Sequence, residues 1–242
     1  MDAIEEIRSA QATALVDEDG DEVSFELDPP VSEPDLDRIA TELGVPLPRD
    51  LRALLAHTAG IDGGPLEQID FTGEDLAFEA QDLFPSGLPI AHDGFGNFWV
   101  LDLTPADAET APVFFTCHDP PVVLYQSPDI GHFLHEAFRM LVPPHASLVD
   151  DVHEDRLFKV WRENPGTLGH GAALERDEEL RAFAAELDER FIFVDLRSPQ
   201  IGMGFSWGRF GPRTEVRRRG YERLFAYAQP EKKPGLLRRV FG

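Results

Sequence analysis

Cysteine is all but missing from this chain of 242 residues: Cys117 stands alone, which excludes an intramolecular disulfide and any zinc site built on cysteine pairs. Lysine is nearly as scarce, found only at Lys159, Lys232 and Lys233. No apolar run approaches the roughly 18 residues that a spanning helix needs, so no membrane partner is expected. Met1-Asp2-Ala3-Ile4-Glu5-Glu6 is acidic and lacks the basic and apolar regions of a secretory signal, so a cytoplasmic location is expected. Positive charge is short overall, with 22 basic against 45 acidic residues and a net charge of −23, which argues against a nucleic-acid partner held through its phosphates. The imbalance is uneven. Residues 209–242 hold ten Arg and Lys against three Glu, leaving 12 basic and 42 acidic residues in 1–208. An acidic body with a basic end either attracts a basic partner through its field, or is simply soluble with its tail docked on itself.

What is present is a globular composition, with 18 Phe and enough chain for one or two compact units. Residues 2–10 are predicted as a short helix. Residues 12–27 read as a hairpin turning at Asp19-Gly20, with Val23, Phe25 and Leu27 on one face. Ser32 is an N-cap for a helix carrying Leu36, Ile39, Ala40 and Leu43 and ended by Gly44; a second stripe of Leu51, Leu54, Leu55 and Thr58 runs to Gly60. From 66 to 125 the period changes to strands at 66–71, 76–78, 88–91, 97–103, 113–117 and 122–125, spaced for an antiparallel sheet. Phe98-Trp99-Val100-Leu101 is apolar on both sides of the pleat, which predicts a strand covered on both faces. Asp129 and its neighbours cap a helix with Ile130, Phe133, Leu134, Ala137, Phe138 and Leu141, and Pro143-Pro144 closes the unit. Beyond it, helices are expected at 148–162 and 175–188, a strand at 191–196, a Gly-rich strand or turn at 202–211 and a helix near 215–228. Two strands are too few to predict an independent sheet there.

Five segments then appear in a recognisable order: Leu43-Gly44-Val45-Pro46-Leu47-Pro48; Asp50 to Leu55 ending at Ala59-Gly60; Leu88-Pro89-Ile90-Ala91-His92-Asp93-Gly94-Phe95-Gly96-Asn97-Phe98-Trp99-Val100-Leu101-Asp102; Val113 to Asp119; and the 130–141 helix. In these features residues 32–142 resemble the SUKH superfamily, shared by a fungal cell-wall assembly regulator and by bacterial immunity proteins of polymorphic toxin systems. Ala59 departs from the family's usual Asn. The resemblance implies an α+β fold that works by binding, commonly as the antidote to a toxin, with no catalytic residues to carry over.

Gly204-Phe205-Ser206-Trp207-Gly208 matches a nucleophile elbow, but all eight histidines (57, 92, 118, 132, 135, 145, 153 and 170) precede Ser206, whereas that fold places its His after the Ser. Cys117 and His118 are neighbours on a strand and point to opposite faces, so Cys117 reads as a small buried residue. His92-Asp93, His118-Asp119 and the helical pair His132 and His135 could ligate a metal, or could be hydrogen-bonded or surface histidines; His135 and Glu136 are expected to face solvent. The acidic Asp17 to Glu22 string lacks the spacing of a calcium loop. Gly202-Met203-Gly204 lacks the third glycine and the helix of a phosphate cradle. Arg217, Arg218, Arg219 and Arg223 would form a basic face opposite Tyr221, Leu224, Phe225 and Ala228, available to an anionic partner or docked on the body.

The sequence therefore predicts an α+β protein: a SUKH-like antiparallel sheet with flanking helices in residues 1–143, and a helical or mixed extension with a basic tail in 144–242 that packs on the first unit. The expected function is non-catalytic protein binding with no cofactor and no metal, as an immunity protein that occludes a basic toxin domain such as a nuclease. Its candidate contacts are Glu67, Asp70, Glu74, Asp75, Glu79 and Asp82, which otherwise simply solvate a loop. A regulatory scaffold resembling the fungal relatives is the alternative, and a metal-dependent hydrolase the third reading. The oligomeric state is left open.

Overall fold

The computed structural model describes residues 1–73, 81–104, 109–211 and 213–231. Helix α1 (Ala3–Gln11) starts where the Asp2 carboxylate accepts the Ile4 and Glu5 N–H groups, and it buries Ala3, Ile7 and Ala10. Helix α2 (Glu33–Leu43) is capped by Ser32 and ended by Gly44 at φ 70°, the left-handed conformation that glycine adopts without strain. Helix α3 (Arg49–Leu55) follows the proline elbow. Helix α4 (Ile130–Arg139) is capped by Asp129 and buries Phe133, Leu134, Ala137 and Phe138. Then α5 (Leu148–Asp150), a π-helical turn (Asp151–Arg156) and α6 (Leu157–Glu163) run on as one rod.

Strands β1 (Leu15–Val16) and β2 (Glu22–Val23) form the small hairpin. Eight strands form the main antiparallel sheet, built from β3 (Phe25–Leu27), β4 (Gly60–Gly63), β5 (Gln68–Asp70), β6 (Gly87–His92), β7 (Phe98–Asp102), β8 (Val113–His118), β9 (Pro121–Ser127) and β12 (Gly204–Phe205); β12 lies on the far edge beside β9. A second sheet has the order β10 (Thr167–Gly169), β11 (Phe191–Asp195), β14 (Leu224–Ala228), β13 (Val216–Arg218). Helices α7 (His170–Leu174) and α8 (Glu178–Ala185) belong to this second unit.

The two-residue period of a strand assigns each side chain to a layer. On β7, β8 and β9, Trp99, Leu101, Val113, Phe115, Cys117, Val122 and Leu124 pack into the core shared with α1 to α6. Their alternates Val100, Phe114 and Val123, with Phe98 and Tyr125, meet Val194, Phe225 and Tyr227 of the second sheet. The other face of that sheet, Phe191, Phe193, Leu224 and Ala226, packs on Leu180, Phe183 and Ala184 of α8. The layers are thus helices, eight-stranded sheet, four-stranded sheet and helices. The strand predicted to be covered on both faces is so covered.

Several expectations need correction. The helix near 215–228 is a hairpin: β13 and β14 pair antiparallel around Gly220 at φ 43°. Leu224-Phe225-Ala226-Tyr227-Ala228 is wholly buried because it alternates between two cores, and such a run carries no period that separates it from a helix. With β10 added, the extension has a full sheet rather than two isolated strands. The expected 175–188 helix is confined to Glu178–Ala185, preceded by the separate turn of α7. Helix α3 stops at Leu55, and Gly60 opens β4; a Cβ at Gly60 would lie 2.6 Å from Asp28 Oδ2. The strand expected at 76–78 lies outside the described residues.

Candidate functional site

The β6–β7 turn carries a connected polar network at the sheet's end. Gly94 and Gly96 take φ of 77° and 86°, so the chain can reverse within Asp93 to Asn97. The buried Asp93 carboxylate organises it: Oδ1 accepts the Phe95 N–H at 2.8 Å and the Asn97 N–H at 3.2 Å, while Oδ2 accepts Asn97 Nδ2 at 2.6 Å and His153 Nε2 at 3.0 Å. Burial opposes ionisation of Asp93, but these hydrogen bonds outweigh it and hold the carboxyl below its usual range. His153 comes from the π-helical turn and packs on Trp99 and Phe115, with ring centroids 5.9 and 5.2 Å away. Asn97 Oδ1 in turn accepts the His118 N–H at 3.3 Å and Nδ1–H at 3.1 Å. The Gly94 N–H donates to His92 Nδ1 at 2.9 Å, which leaves Nε2 of His92 to donate to Gln68 Oε1 at 2.9 Å. The product of this network is Phe95, 81% exposed at the tip of a turn held from below.

Of the acidic candidates, Glu67, Asp70 and Asp82 are among the described residues. Glu67 is exposed beside the turn; a Cβ on Gly94 would lie 3.3 Å from Glu67 Cγ. Asp70 is partly buried and accepts the Thr72 N–H and hydroxyl at 2.8 and 2.7 Å. Asp82 is exposed ahead of β6, whose Gly87 end lies away from the turn. Glu74, Asp75 and Glu79 lie outside the described residues. The sequence reading quoted the turn but gave Phe95 no role; the signal was a large aromatic between two glycines, off the alternation of either strand. His153 carried no signal at all.

The groups considered for chemistry are engaged or shut away. Ser206 is fully buried, its N–H bonded to Asn164 Oδ1 at 3.0 Å. Burial pushes the Cys117 thiol up to about 11. His132 Nδ1 pairs with Asp129, and His135 Nδ1 with Glu6 Oε2 at 2.9 Å. Glu136 is not turned to solvent as expected: its side chain is 13% exposed, and Oε2 accepts the Leu148 N–H at 2.8 Å, fixing the start of α5. Among the described residues no group of three His, Cys, Asp or Glu side chains is placed to hold a metal ion. No helix among them is long and apolar enough to cross a membrane. The basic face is consumed internally: Arg218 is buried against Asp102, Arg217 pairs with Glu215, and Arg219 with Glu186.

A helix-backed antiparallel sheet whose end presents a braced turn defines an α+β domain. Residues 30–136 match the SMI1 / KNR4 family (SUKH-1), and this stretch of the chain is a SUKH-superfamily domain. No curated protein and no solved structure matches the chain.

Proposed function

We propose that this protein is a non-catalytic binding module of the immunity type, which occludes a basic protein domain such as a toxin nuclease through the β6–β7 end of its SUKH domain. The SUKH family fits immunity-protein or regulator roles. The observation that carries the choice of surface is Phe95, an aromatic left 81% exposed by a turn that four hydrogen bonds to Asp93 hold fixed. A rigid exposed aromatic loses little entropy on docking, and aromatic anchors dominate binding energy at interfaces. Glu67 beside it and the net charge of −23 supply a field that steers a basic partner.

The test is capture of partners from native cells on immobilised wild-type protein and on Phe95→Ser, with salt-graded elution and mass spectrometry, followed by the affinity of each variant for the purified partner. The reading expects one stoichiometric basic protein, eluted by salt and bound about thirtyfold or more weakly by Phe95→Ser. Equal capture by both variants overturns it. A chain ending at Glu231 separates the regulator alternative: it removes Lys232, Lys233, Arg238 and Arg239 while keeping the β13–β14 hairpin, and an antidote retains its partner where a tail-dependent scaffold loses it.

A further inference from the structure

A cleft of about 210 Å³ opens where α6, β11 and the segment entering β12 meet, outside the residues that match the SUKH family. Its floor is apolar, formed by the buried Val160, Val194 and Leu196 with Ile201 and Met203 beside them. Backbone at Gly166, Gly202 and Gly204 completes the lining. Arg156 and Lys159 stand on the rim, three residues apart on one rod and so on the same side of it.

Asp195, the acid in the lining, is held by Arg197 through 2.9 and 2.6 Å contacts, and the same guanidinium also pairs with Asp177 and Glu179. Arg156 is tied to Asp151 at 3.0 Å, and its aliphatic stem lies over Gly202; at φ 80° a Cβ there would sit 2.8 Å from Arg156 Cγ. Lys159, an exposed side chain, has no acidic partner among the described residues, as is also true of Arg162, Arg176, Arg181, Arg209, Arg213 and Arg223, but of these cations it alone lines this cleft. At this cleft a cation without an acidic partner among the described residues therefore lies beside an apolar floor.

We propose that this cleft binds a small organic monocarboxylate, its carboxylate at Lys159 and its hydrocarbon against Val160, Val194, Leu196 and Met203. The volume equals about seven waters at about 30 Å³ each, which suits an acid of about six carbons. A single positive charge answers a single negative one.

The experiment is an amide NMR titration of the full chain at low ionic strength with hexanoate, 1-hexanol and hexylammonium up to about 20 mM, because a ligand of this size binds at best on the order of 1 mM. Hexanoate should give saturable shifts at Gly166, Gly202 and Gly204, with hexanol about tenfold or more weaker and hexylammonium silent. Lys159→Glu, a substitution of an exposed side chain, should weaken hexanoate at least tenfold and admit hexylammonium. The absence of saturable shifts at these glycines, equal binding of hexanol, or hexanoate binding unchanged by Lys159→Glu would overturn the assignment. None of these results bears on Phe95, so the two proposals stand or fall separately.

Discussion

Arg218 joins the two sheets, and its removal has a calculable consequence. From β13 its Nη1 and Nη2 reach Asp102 Oδ1 and Oδ2 at 2.9 and 2.8 Å at the end of β7, with side chains 3% and 0% exposed. The guanidinium also donates to the Leu83 carbonyl at 2.9 Å and the Glu222 carbonyl at 3.2 Å, and lies 5.7 and 5.2 Å from the Phe84 and Phe225 ring centroids. Arg218→Met keeps the packing volume but strands a buried carboxylate, which has one other donor among the described residues, the Thr104 N–H at 3.3 Å. Breaking one side of a buried pair costs about 3–5 kcal/mol, against a total stability of about 5–15 kcal/mol. Taking about 4 kcal/mol and a urea slope near 3 kcal/mol per M, the unfolding midpoint should fall by about 1.3 M. In a Trp207→Phe background, intrinsic tryptophan fluorescence reports the larger core through Trp99 and Trp161, and far-ultraviolet circular dichroism reports both sheets, so separation of the two curves would show the sheets uncoupling. Arg218→Met combined with Asp102→Leu should recover more than half of the loss, because the lone charge is gone. A midpoint shift below about 0.3 M, the level of an exposed ion pair, would refute the reasoning.

Gly204→Ala should detach β12, since a Cβ there would overlap the Val123 carbonyl and stand 2.8 Å from Leu124 Cα; hydrogen exchange at the β9 amides should speed up, and unchanged protection would count against the assigned pairing. Asp93 titrates below its ordinary 3.8, so the unfolded chain binds its proton first: the stabilisation is complete above that value and lost as pH falls through the lower folded value. Asp93→Asn should therefore lower stability at neutral pH and flatten its decline below about pH 4, and an unaltered acid limb in pH-dependent denaturation would contradict the network. With its thiol at about 11, Cys117 is ionised in about one molecule per thousand at pH 8. Iodoacetamide should label it slowly until denaturant is added, and fast native labelling would show that it is not buried as described.

What could be read from the residues follows from how local each signal is. Ser32, Gly44 and Asp129 mark helix ends through bonds to their own neighbours, so those boundaries were legible. The doubly apolar Phe98 to Leu101 run announced a strand with two covers, but not that the second cover was another sheet. Residues 215–228 were misread because Arg217 to Arg219, Leu224 and Phe225 satisfy a helical stripe as well as a hairpin. Only the non-local Arg218–Asp102 pair and the register Phe225↔Val194 decide between them, and neither is visible along the chain. The same holds at the candidate site: the glycine turn was legible, while the His153 contact that braces it spans 60 residues and comes from a π-helical turn with no sequence period of its own.

The layering also decides where a partner can dock. With α1 to α6 on one face of β7, β8 and β9 and the second sheet on the other, no face of these strands remains open to a protein. Of the two ends of β7, Asp102 is closed over by Arg218, while the Phe98 end, about 13 Å away by strand rise, carries the Phe95 turn. The inter-sheet pair and the proposed recognition surface therefore sit at opposite ends of one strand and should separate under mutation. Arg218→Met should lower the unfolding midpoint and leave partner affinity intact wherever the protein is folded. Phe95→Ser should do the reverse, because an exposed side chain contributes within about 0.5 kcal/mol to folding. Joint loss of affinity and stability in either variant would mean that the turn and the inter-sheet pair are one coupled unit, and the surface chosen for the partner would have to be moved.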